Sequence, residues 1–72
     1  MVSDKDRVVV HVPAGVLRGI RRIQSAGEVN YYSTSEVMAE AERLGEKEAL
    51  RWINTHPFSY LHGAYNAFIE ET

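Results

Sequence analysis

Apolar residues change their period along this chain, and each change marks an element. Arg7 to Val12 (RVVVHV) is β-branched up to Pro13, which predicts a short strand over 7–12. Val8, Val10 and Val12 share one face of it, and Arg7, Val9 and His11 the other. No other stretch reads as a strand, so the expectation is an extended arm on the helices or a strand paired with a second subunit. After Pro13, Val16, Leu17, Ile20 and Ile23 recur at helical spacing, predicting a helix over 13–26 that Gly27 ends.

The connector Glu28 to Tyr32 leads into Ser33-Thr34-Ser35-Glu36. Ser33 as N-cap with Glu36 three residues on predicts a capping box, with Tyr32 and Val37 placed to form a hydrophobic staple. The second helix then covers 34–44, burying Val37, Met38, Ala41 and Leu44 up to Gly45. A third helix over 46–55 carries Ala49, Leu50, Trp52 and Ile53, and must stop before Pro57. Pro57 opens a fourth over 57–70, with Phe58, Leu61, Ala64, Tyr65, Phe68 and Ile69 as its packing stripe. The expected fold is mainly α: four short helices and an N-terminal strand or arm, with a flexible tail over 1–6 and a single domain over 7–72.

Length sharpens this expectation. A domain of 72 residues buries only about 60% of its unfolded surface, and this chain has no Cys for disulfides or thiolate metal sites. Tight helix packing or self-association must supply the rest, so a homodimer is expected. A hydrophobic share of 44% and a charged share of 25% are those of a folded globular protein. No apolar run approaches the ~20 residues of a membrane span, and the opening MVSDKD has no signal-peptide pattern, so a cytoplasmic protein without a membrane partner is expected.

The net charge of −2 is unevenly divided. Before Val29, Lys5, Arg7, Arg18, Arg21 and Arg22 outnumber Asp4, Asp6 and Glu28; beyond it, seven glutamates outnumber Arg43, Lys47 and Arg51. A basic front and an acidic back suit the orientation of a partner, but the excess is too small to imply nucleic acid by itself.

The candidate chemistry is thin. His11, His56 and His62 are not spaced as metal ligands, and surface or capping roles fit them better. Ser33 and Ser35 lack the surroundings of a nucleophile. Glu36 and Glu40, with Arg43 and Lys47 nearby, read as a solvated, charge-laced helix face. No catalytic residue, metal or cofactor is expected, and the chain does not read as an enzyme. Trp52 and Phe58 are assigned to the core. For binding a partner, Arg18, Arg21 and Arg22 emerge together at i, i+3 and i+4, a spacing suited to phosphates or a carboxylate-rich surface. Asn30, Tyr31 and Tyr32 have the composition of a contact surface, where aromatics anchor and amides adapt.

Two resemblances follow from these motifs. RVVVHVPAGVLRGIRR followed by YYSTSEVMAEAERL looks like a ribbon-helix-helix DNA-binding protein, which implies a dimer placing Arg7, Val9 and His11 in the major groove. The turn from Gly27 to Ser33 is longer than that pattern, and Gly45 cuts the second helix short. From Val12 to Ile69 the chain resembles small phage-encoded proteins grouped as domain of unknown function 5049. That likeness rests on Val12-Pro13, Val16, Ile20, Ile23, Gly27, Asn30, Val37, Ala41, Gly45, Glu48, Ile53 and the late aromatics. It accounts for both glycine breaks and is the preferred one. It implies a phage or prophage origin. Together with small size and thin chemistry, the expectation is a phage-type accessory protein in the host cytoplasm that binds another protein, with Arg18, Arg21, Arg22, Asn30, Tyr31 and Tyr32, chosen for charge and composition, as contacts.

Overall fold

The computed structural model describes residues 9–71, so the tail expected over 1–6, together with Arg7 and Val8, lies outside the described residues. The fold is mainly α. Its order is β1 (Val9–Val12), α1 (Ala14–Ala26), α2 (Thr34–Leu44), α3 (Lys47–Thr55), α4 (Pro57–Tyr65) and β2 (Ala67–Glu70).

Helix boundaries follow the punctuation in the sequence. Pro13 sits at the N-cap of α1 with extended backbone, and its carbonyl accepts from Leu17 N at 3.0 Å. Gly27 closes α1 at φ 66° and Gly45 closes α2 at φ 73°, where a side chain would be strained. Beyond Gly45 the last turn is completed by Gly45 N to Glu42 O (3.1 Å) and Glu46 N to Ala41 O (2.8 Å), the two bonds of a Schellman motif. Ser33 occupies the N-cap of α2 as expected, but the capping box does not form. Its hydroxyl lies 3.2 Å from Ser35 Oγ, and no side chain caps the helix.

The last segment departs most from the expectation. The helix expected over 57–70 ends at Tyr65, where Asn66 turns the chain and its Nδ2 donates to His62 O at 2.9 Å. Ala67 to Glu70 then form a strand parallel to β1, in register Val9 with Ala67 through Val12 with Glu70. The N-terminal strand therefore has a partner within the chain, contrary to the expectation of a lone strand. Phe68 and Ile69 belong to that partner and not to a helical stripe. A parallel pair needs a long crossover, and all four helices supply it.

The core joins Val12, Val16, Leu17, Ile20, Ile23, Val37, Ala41, Ile53 and Tyr60. Helix α4 is apolar on both sides, so its pattern does not choose which side is buried. The structure buries Tyr60 and Gly63 and leaves Phe58 78% and Tyr65 70% exposed, which corrects the assignment of Phe58 to the core. Trp52 is half-buried against the core. Two close approaches fix the helices. A Cβ on Gly19 would come within 2.7 Å of the Ala49 Cβ on α3, and one on Gly63 would land on the Phe68 ring.

Glu40, expected on a solvated face, is only 5% exposed. Arg43 grips its carboxylate through Nε at 2.5 Å and Nη2 at 2.7 Å, one turn along α2. That guanidinium holds the Glu40 carboxyl below the usual carboxylate range, against the opposing effect of burial.

Two predictions follow from this packing. Gly63→Ala should lower stability in urea unfolding by about 1–3 kcal/mol, because displacing Phe68 outweighs the better helix propensity of Ala. Because the pKa of Glu40 is lowered in the fold, its contribution is full above the ordinary carboxylate range and is lost as pH falls through the lowered value. Unfolding midpoints measured from pH 6 down to about pH 3 should therefore fall more steeply for the wild type than for Glu40→Gln.

Candidate functional site

The turn between α1 and α2 is built by Asn30. Its Oδ1 accepts from Tyr32 N at 3.0 Å and its carbonyl accepts from Ser33 N at 2.9 Å, so the amide that looked available to a partner is used in its own turn. From this turn the Tyr31 and Tyr32 rings pack side by side, with centroids 4.7 Å apart. Tyr31 is half-buried against the core, whereas Tyr32 is exposed and stacks on Tyr65 of α4 with ring centroids 4.6 Å apart.

Tyr60 fixes the turn from below. It is fully buried, and its hydroxyl donates to the Tyr31 carbonyl at 2.6 Å. Burial pushes this phenol well above the ordinary tyrosine range, so it remains a protonated donor. A buried tyrosine needs such a partner, and here the partner is the backbone of the candidate contact loop.

The arginine row of α1 is exposed but is divided by its neighbours. Arg22 Nη1 pairs with Glu46 Oε1 at 2.6 Å, tying α1 to the start of α3. Arg18 and Arg21 have no ion-pair partner among the described residues. All three arginines border a shallow hollow of about 330 Å³ that Glu70 of β2 also lines. Arg21 additionally lines a largely polar cleft of about 390 Å³ with Gln24, Tyr31 and Asn66, over a floor that includes Ile20 and Phe68.

The structure thus brings Arg21 and Tyr31 to one cleft and the three arginines to one surface, while the Tyr32 ring bridges Tyr31 and Tyr65 of α4. Sequence reading missed Gln24 and Asn66. The i, i+3 relation to Arg21 places Gln24 on that surface, whereas Asn66 enters only through the chain reversal at the end of α4.

The strand-borne candidates are placed differently. Arg7 lies outside the described residues, Val9 is half-buried, and His11 is exposed on β1. One edge of β1 is already bonded to β2, so a ribbon shared with another chain would use the opposite edge. His56 ends α3: its Nδ1 lies 2.9 Å from Thr55 Oγ1, and its ring stacks on Trp52 at 5.0 Å. Trp52 and His56 also line an open, mainly apolar groove of about 380 Å³ with Val16 and Arg51. Among the described residues no group of three His, Cys, Asp or Glu could hold a metal ion, and no helix is long and apolar enough to cross a membrane.

Fold and site together define a small helical protein with a polar cleft bordered by Arg21. The chain matches no protein-family profile, no characterised protein and no solved structure.

If Tyr60 orders the Tyr31 turn, Tyr60→Phe should leave an unpaired carbonyl and cost about 1 kcal/mol of stability. Amide exchange should then quicken at Tyr32 and Ser33 more than in α3. Unchanged exchange at those two amides would separate the turn from this hydrogen bond.

Proposed function

We propose that this chain is a non-enzymatic accessory protein, of the phage type its sequence resembles, which binds another protein through the cleft between α1 and the Tyr31 turn. The observation that carries the reading is the meeting of Arg21 and Tyr31 with Gln24 and Asn66 around one cleft. A guanidinium without an ion partner among the described residues, ringed by amides and a phenol, suits a carboxylate on a protein segment. The Tyr31 backbone is fixed by Tyr60 before anything binds, so little ordering cost falls on that side of the contact. Arg18, beside Arg21, adds steering charge that acts on the rate of encounter. Asn30 serves by shaping the turn, Tyr32 lies at the rim, and Arg22 holds α1 to α3. The likeness running from Val12-Pro13 through Gly27, Asn30 and Gly45 supports the accessory role.

The test is capture of partners from host-cell extract on the immobilised chain, followed by affinity measurement with each protein identified. Arg21→Glu should weaken the genuine partner by at least ten-fold, about 1.4 kcal/mol, and Tyr31→Ala should weaken it similarly. Arg51→Glu, on α3, should leave binding intact. An identical set of proteins at identical affinity from all variants would remove the cleft from the reading.

A further inference from the structure

From Trp52 to Ile69 the chain contains no Asp, Glu, Lys or Arg, and α4 lies inside that run. Its outer stripe is Phe58, His62 and Tyr65 with the half-buried Leu61 between them, at i, i+4, i+7 and i+3. These four residues and Asn66 frame an apolar hollow of about 420 Å³. Phe58 is 78% and Tyr65 70% exposed. At roughly 200 Å² per aromatic side chain, the two rings leave about 300 Å² bare, as much as the largest apolar patch on a typical monomer.

The geometry points to a second copy of this chain as the occupant, with the two α4 helices antiparallel across a two-fold axis. Two features of the face suit a copy of itself. A two-fold interface sets the same patch against itself, so any charge in it meets its like; this face carries no Asp, Glu, Lys or Arg. The stripe also ends on an aromatic ring in both directions, with Leu61 and His62, of similar size, between the two rings. In an antiparallel pair, Phe58 of each copy packs against Tyr65 of the other while Leu61 and His62 cross at the axis. Each ring enters the hollow beside its counterpart, and the Tyr32 ring stacked on Tyr65 extends the contact. The four aromatic rings contribute about 600 Å² in total, and Leu61, Tyr32 and Val9 at the margin bring the contact toward the ~1,000 Å² of a specific interface. The dimer is accordingly a weak, concentration-dependent one. It borders the cleft at Asn66 and Tyr32 but uses neither Arg21 nor Tyr31, so Arg21→Glu should leave dimerisation unchanged.

Sedimentation equilibrium on the full chain, from low micromolar to near-millimolar concentration, should show a monomer–dimer equilibrium. Phe58→Lys should raise the dissociation constant at least ten-fold with an unchanged circular dichroism spectrum, since Phe58 is almost bare. Because the chain has no Cys, orientation can be read by disulfide trapping. An equimolar mixture of Phe58→Cys and Tyr65→Cys should give mainly the mixed disulfide under mild oxidation. Three results would overturn the proposal: a monomer at every concentration, which leaves this face to a different protein; a dimer indifferent to Phe58→Lys; or trapping that favours 58–58 and 65–65 links.

Discussion

Phe68 can lie against α4 only because position 63 has no side chain, and most of the architecture depends on that seat. The ring stands 5.6 Å from Tyr60 and edge-on to Trp52 at 6.3 Å, so one residue of β2 touches aromatics of α3 and α4. Held there, β2 is positioned to pair with β1, and the Glu71 N to Val12 O bond at 2.7 Å prolongs the pairing. A two-stranded parallel pair has little stability of its own. It persists because Phe68 packs against the core, to which the buried Val12 contributes from the other strand.

Tyr60 extends the same arrangement to the binding surface. Its ring packs near Phe68 and its hydroxyl holds the Tyr31 carbonyl, so the strand pair and the contact loop share one buried side chain. Among the described residues no buried side-chain nitrogen or oxygen lacks a hydrogen-bond partner. That accounting explains how a phenol and a carboxylate are accommodated inside so small a core: Tyr60 has a backbone acceptor, and Glu40 has the forked donor of Arg43.

Apart from Glu40, charge is arranged around this core and not within it. Arg22 and Glu46 fasten α1 to α3 beside the Gly19–Ala49 crossing, which removes one arginine from the row that sequence reading treated as a unit. Arg18 and Arg21 then border β2, which sequence reading had placed in a helix. The functional surface proposed for α1 therefore owes its partition to tertiary contacts on both sides.

The local code was largely legible: Gly27 and Gly45 end helices because only a residue without a Cβ takes a left-handed backbone cheaply, and Pro57 starts one because it needs no donor there. The core faces of α1, α2 and α3 were legible too, since each is amphipathic and its buried residues recur at helical spacing. Within the candidate site, the grouping of the three arginines and the turn at Asn30 could be read from spacing and residue type. The end of α4, the strand after it and the side of α4 that faces inward could not. A segment apolar all round gives no preference to either face, and a strand of four residues is decided by a partner more than fifty positions away. By itself the sequence determined where α1, α2 and α3 begin and end and where α4 begins, because those choices depend on backbone geometry at single residues. Only the tertiary structure decided that Tyr60 turns in, that Phe58 and Tyr65 turn out, and that Arg21 meets Tyr31. Those outcomes depend on which distant group is present to satisfy a hydroxyl, fill the space above a glycine or leave a ring bare.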